Sequence, residues 1–96
     1  MIEKENFKKC KLELVPHVVK RLVERNFPIS RIRNLIFKSK WGPHILDDRR
    51  TCICQENSTY WTIIIAISEC HIFIITVYES KYSEKMEYKR WGKKYD

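Results

Sequence analysis

"TYWTIIIAISECHIFIITVYE", residues 59–79, decides the fold. Its first half alternates with a period of two, the signature of a β-strand. Trp61, Ile63, Ile65 and Ile67 point one way; Tyr60, Thr62, Ile64, Ala66 and Ser68 point the other. Glu69 and Cys70 read as a tight turn, and "HIFIITVYE" as a strand running back. Simple alternation there sets Phe73, Ile75 and Val77 against Ile72, Ile74, Thr76 and Tyr78. Both sets hold apolar residues, which predicts a central or well-covered strand. An antiparallel hairpin turning near Glu69 is expected.

Working upstream, "RTCICQ" reads as a further strand, closed by a turn at "ENS". "HILDDRR" reads as a loop, and Trp41, Gly42 and Pro43 break whatever precedes them. Before them the period changes to that of a helix. "RIRNLIFKSK" has Ile32, Leu35 and Ile36 on one face, with Ser30 suited to its N-cap. "VPHVVKRLVERNF" (residues 15–27) has Pro16 in a first turn and a buried stripe of Val18, Val19, Leu22 and Val23. Asn26 and Pro28 end it. "KLELV" is a short strand or a lead-in. Helices and strands segregated in this order indicate an α+β fold. The expectation is two N-terminal helices packed on one face of a twisted antiparallel sheet of three to four strands. Residues 1–96 read as a single domain, least ordered at 1–10 and 80–96.

With 96 residues and 44% hydrophobic content, the chain can fold around one modest core. A net charge of +7, from 19 Lys and Arg against 12 Asp and Glu, favours an anionic partner, nucleic acid first. Two apolar runs, "WTIIIAIS" and "IFIITV", fall well short of the roughly 20 residues a membrane helix needs. No secretory segment is legible in "MIEKENFKKCKLEL". The four cysteines, Cys10, Cys52, Cys54 and Cys70, are expected as reduced thiols. Cys52 and Cys54 lack the C-x-x-C spacing of a metal site, so neither a metal nor another cofactor is expected.

His17, Arg21 and Arg25 follow one another at four-residue steps, forming a stripe beside the buried one. Histidine titrates in the range needed for proton transfer, and the arginine fork matches a phosphate. An ordinary solvated helix face would carry the same three residues. In the tail, "YKRWGKK" interleaves aromatics with cations, as RNA-binding surfaces do; a solubilising tail would look alike. His44 and His71 read as loop or turn residues, either able to supply a second proton-transfer group.

The segment "LELVPHVVKRLVERNFPISRIRNLI", with the strand ending "ITVY", resembles a small bacterial domain family. Its members carry a His-x-x-x-Arg-x-x-x-Arg helix and a final strand ending Thr-Val-Tyr or Thr-Val-Trp. The match covers roughly residues 11–79. The family is similar to the barnase–EndoU–colicin–RelE-like ribonuclease toxins. The resemblance implies cleavage of RNA, tRNA or mRNA among the candidates, by metal-independent transesterification. His17, Arg21, Thr76 and Tyr78 would be catalytic, and Arg25 would contact RNA. Lys20, Lys89, Arg90 and Trp91 are added as RNA contacts on charge and stacking alone. It also implies a cognate antitoxin or immunity protein and action in the cytoplasm, with delivery from another cell as part of a larger toxin. A basic module that binds nucleic acid or a protein partner without cleaving anything is the alternative.

Overall fold

The computed structural model describes residues 4–91. The hairpin is present as read. Strand β4 (Thr59–Ser68) pairs antiparallel with β5 (His71–Glu79), and Glu69 turns the corner at φ 54°. Strand β3 (Arg49–Glu56) pairs antiparallel with β4 through a turn at Asn57, φ 57°. Both turn residues occupy the left-handed region, which asparagine enters more readily than most.

Two edges extend the sheet beyond expectation. Strand β1 (Lys11–Glu13) lies parallel to β5, and β2 (Lys40–Gly42) lies antiparallel to β3. The sheet is therefore five-stranded and mixed, in the order β1-β5-β4-β3-β2, rather than antiparallel with three to four strands. Each edge strand has three residues, too few for a legible period. The preceding helix stops at Lys38 with Ser39 at its cap, and Trp41 and Gly42, expected to break it, pair with Cys52 and Thr51 instead.

Helices α1 (Pro16–Glu24) and α2 (Ile32–Lys38) follow β1 and pack on one face of the sheet. Helix α1 stops in a paired-bond cap. Phe27 N–H donates to Leu22 O, Asn26 N–H to Val23 O, and Asn26 takes φ 56°. Ser30 does not cap α2: Ile29–Arg31 forms a 3-10 turn, and Arg31 stands at the cap position. The core joins Val18, Leu22, Ile32, Leu35 and Ile36 to Cys52, Cys54, Ile63, Ile65, Ile72, Ile74 and Val77. Trp41 is buried among them, and its indole N–H donates to Ile36 O at 2.8 Å.

A third helix, α3 (Tyr82–Trp91), corrects the expectation that helices cover one face only. It crosses the opposite face. Trp91 lies against Gly42, where an added Cβ would meet the indole at 2.2 Å. Tyr88 meets Tyr60 edge-on at 5.5 Å, and Lys40 Nζ donates to Tyr88 O at 3.2 Å. The tail to Trp91 is thus a packed helix; Lys93 lies outside the described residues.

A bulge in β5 changes which residues share a face. Ile65 pairs with Ile74 but Ile64 with Thr76, leaving Ile75 as the extra residue. Ile72, Ile74 and Val77 consequently face α1, while Phe73, Thr76 and Tyr78 face the other way. Uninterrupted alternation had grouped Ile74 with Thr76, and Phe73 with Val77.

Cys10 and Cys70 form a disulfide across 60 residues, against the expectation of four free thiols. It joins the entrance of β1 to the β4–β5 turn. Cys52 and Cys54 stand outside the disulfide as buried thiols.

Candidate functional site

Residues 15–40 carry seven Lys or Arg and one acid, a surplus of six out of the chain's +7. Both α1 and α2 turn their charged sides to solvent, so most of this surplus lies on one outer layer; Lys40 instead reaches Tyr88 O on the opposite face. The concentration was legible in the sequence as a run of basic residues with Glu24 alone against them.

Helix α1 presents His17, Lys20 and Arg21 to solvent, because Val18 and Leu22 are buried against β5. Beside its first turn, a cleft of about 330 Å³ opens at the β1–β5 side of the sheet and takes in Ala66 and Phe73 from the face turned away from α1. Glu13, Val15, His17, Ala66, Phe73, Ile74 and Ile75 line it. The β5 bulge supplies the cleft wall at Ile75. Glu13 reaches it because β1 pairs in parallel with β5, setting Glu13 opposite Phe73. Its carboxylate lies 3.5 Å from Lys11 Nζ. A carboxylate and an imidazole thus share one cleft, with Arg21 one helical turn beyond His17. Sequence reasoning had not selected Glu13, since its partner strand lies 60 residues away.

The other expected catalytic residues are elsewhere. Thr76 and Tyr78 lie on the face turned away from α1, and neither lines the cleft. The Tyr78 hydroxyl donates to Glu84 Oε2 on α3. Burial, then the hydrogen bond and negative charge of Glu84, push its pKa well above the ordinary phenol value. A phenol held in this way is neither a base nor a phosphate ligand for His17.

Of the expected RNA contacts, Lys20 is exposed on the helix layer. Arg25 donates instead to Val77 O, fastening the end of α1 to β5 beyond the reach of β1. Lys89 and Arg90 are exposed on α3, on the far side of the sheet, and Arg90 bridges Glu87 at 2.8 Å. Trp91 is buried at 8% exposure against Gly42, so it is a packing residue rather than a stacking platform. His44 accepts from Leu46 N–H within its loop, and His71 packs edge-on to Phe73.

Burial raises the Cys54 pKa above its ordinary value, with Ser39 and Lys38 opposing it. Among the described residues, no group of three or more His, Cys, Asp or Glu side chains is arranged to hold a metal ion. No helix among them is long and apolar enough to cross a membrane.

Comparison with protein-family models, with curated proteins and with solved structures returns no match.

Proposed function

We propose that this protein is a metal-independent ribonuclease of the toxin kind, with its helix layer against the RNA backbone and its chemistry in the cleft at the start of α1. The observation that carries this reading is the shared lining of that cleft by Glu13 and His17. One of the pair takes the proton from a 2′-hydroxyl as its oxygen attacks phosphorus. The other protonates the 5′-oxygen as its bond to phosphorus breaks, leaving a 2′,3′-cyclic phosphate. Arg21 offers a fixed positive charge to the phosphorane. Thr76 and Tyr78 have no part in this scheme. An antitoxin or immunity protein of acidic character would complement the helix layer.

The second reading is a basic module that binds RNA without cleaving it. The separation of Thr76 and Tyr78 from His17 favours it, because His17 alone of the catalytic set implied by the family resemblance lines the cleft.

Incubation of purified protein with total RNA in EDTA separates the two. Cleavage that ends in a cyclic phosphate is expected, lost at least a hundredfold in His17→Ala and in Glu13→Gln, with circular dichroism unchanged. Arg21→Lys should fail as well, because a point charge does not reproduce a two-pronged contact. RNA that is bound yet intact after prolonged incubation would establish the second reading.

A further inference from the structure

A second concavity, of about 600 Å³, lies on the outer side of α2. Lys8, Ser30, Arg33, Asn34, Phe37 and Lys38 line it. Among the described residues that line it, none is a carboxylate. Three cations, two neutral hydrogen-bonding side chains and one aromatic ring therefore face a space of nucleotide size. Outside the lining, Glu56 stands 3.7 Å from Lys38 Nζ. The Lys38 side chain is half exposed and the contact is loose, so a phosphate competes for the lysine at little cost.

The arrangement is held from below. Arg33 donates to Cys10 O at 3.0 Å and to Lys8 O, which fixes its plane. The guanidinium carbon sits 5.2 Å from the centre of the Phe37 ring, and that ring packs against Trp41 at 5.8 Å. Bound carbonyls leave the arginine charge in place while removing its freedom. Flat arginine and phenylalanine surfaces of this kind take an unpaired base, and neighbouring lysines take its phosphate. Ser30, free of the capping role its position suggested, faces the same space.

We infer that this groove is a binding subsite for a single-stranded RNA nucleotide, its base against Arg33 and Phe37 and its phosphodiester on Lys8 and Lys38. The inference deepens the ribonuclease reading by supplying a place for the strand away from the bond that is cut. It is lodged on the same helix layer as His17 but shares no residue with that cleft.

The test uses a fluorescein-labelled 2′-O-methyl RNA octamer of mixed sequence, followed by fluorescence anisotropy with the full chain. This probe cannot undergo transesterification, so binding is read apart from cleavage. Asn34→Asp sets a negative charge in the groove from an exposed position and should weaken binding about tenfold. Lys38→Gln should weaken it and lower the steepness of the salt dependence by about 0.7. Phe37→Leu should cost about tenfold with the salt dependence unchanged, the mark of lost stacking. His17→Ala should bind the octamer as the native chain does. Should Phe37→Leu lose its native circular dichroism, Asn34→Asp and Lys38→Gln decide alone. Native affinity in both would overturn the groove assignment, whatever the cleavage assay gives. So would absence of octamer binding by the native chain, or equal affinity for a polyglutamate peptide. Loss of cleavage in His17→Ala beside unchanged octamer binding in Asn34→Asp would overturn the groove while sparing the ribonuclease reading.

Discussion

The hydroxyl of Tyr78 illustrates how a partner decides what a side chain can do. Glu84 accepts from it, and the same carboxylate accepts Lys81 N–H at 2.8 Å in the first turn of α3. The phenol is therefore a strut between β5 and α3. Its pKa lies above the unfolded value, so the folded chain keeps the proton where the unfolded chain loses it. Stability tied to this group is complete below about pH 10 and declines as pH rises beyond it. Tyr78→Phe should flatten that alkaline decline in urea unfolding while leaving RNA cleavage at the native rate. A Tyr78→Phe protein that loses cleavage with its fold intact would return Tyr78 to the site. Arg25 makes the same point by a different bond. Its reach to Val77 O covers an edge carbonyl of β5, where β1 has already ended.

At the scale of elements, the edge strand β1 carries more than its length suggests. Three residues pair with His71, Ile72 and Phe73, and Cys10 is bonded to Cys70 at its entrance. That strand delivers Glu13 to the cleft. Closing a loop of 60 residues restricts the unfolded chain by roughly 4 kcal/mol on the chain-entropy model. Reduction, or the double change Cys10→Ser with Cys70→Ser, should lower the urea midpoint by a corresponding amount. Amide protection at Leu12 and Glu13 should fall first, while Ile63 and Ile65 in the central strand keep theirs. Cys52 and Cys54, both buried, should resist alkylation until the chain unfolds, read by mass spectrometry. An unchanged midpoint on reduction would sink this account of β1.

Over the whole molecule, the sheet separates two helical layers of different character. The segment 15–40, which contains α1 and α2, holds most of the positive surplus, while α3 mixes Glu84 and Glu87 with its lysines and arginine. Of the seven basic residues in 15–40, Arg25 is committed to Val77 O, Arg31 pairs with Glu56, and Lys40 reaches Tyr88 on the far face. Arg33 is held by Cys10 O and Lys8 O; Lys20, Arg21 and Lys38, together with Lys8 in the α2 groove, remain for the RNA backbone. Four contacts to a single strand predict that log affinity falls with log salt at a slope of about −3. Anisotropy titrations of the octamer between low and physiological salt measure it. A slope shallower than about −1 would remove the helix layer as the RNA surface.

The hairpin of β4 and β5, the helix of α1 and its end at Asn26 were all written locally. Alternation, helical spacing and a left-handed turn residue each act within a few positions, so the chain alone determines them. The basic run 15–40 and the stripe of His17 and Arg21 are local in the same sense. What only the tertiary structure decided depends on distant partners. Strands β1 and β2 are too short to show a period, and they exist because β5 and β3 offer unpaired edges. The bulge at Ile75 arises where β5 fits β4 on one side and α1 on the other, and it turns Thr76 and Tyr78 from the face that plain alternation assigns. Trp91 became core because Gly42 leaves room for an indole. Glu13 joined His17 because a parallel pairing across 60 residues brought β1 to the edge of β5. Local spacing sets which way a side chain points relative to its neighbours; only packing sets what stands in front of it.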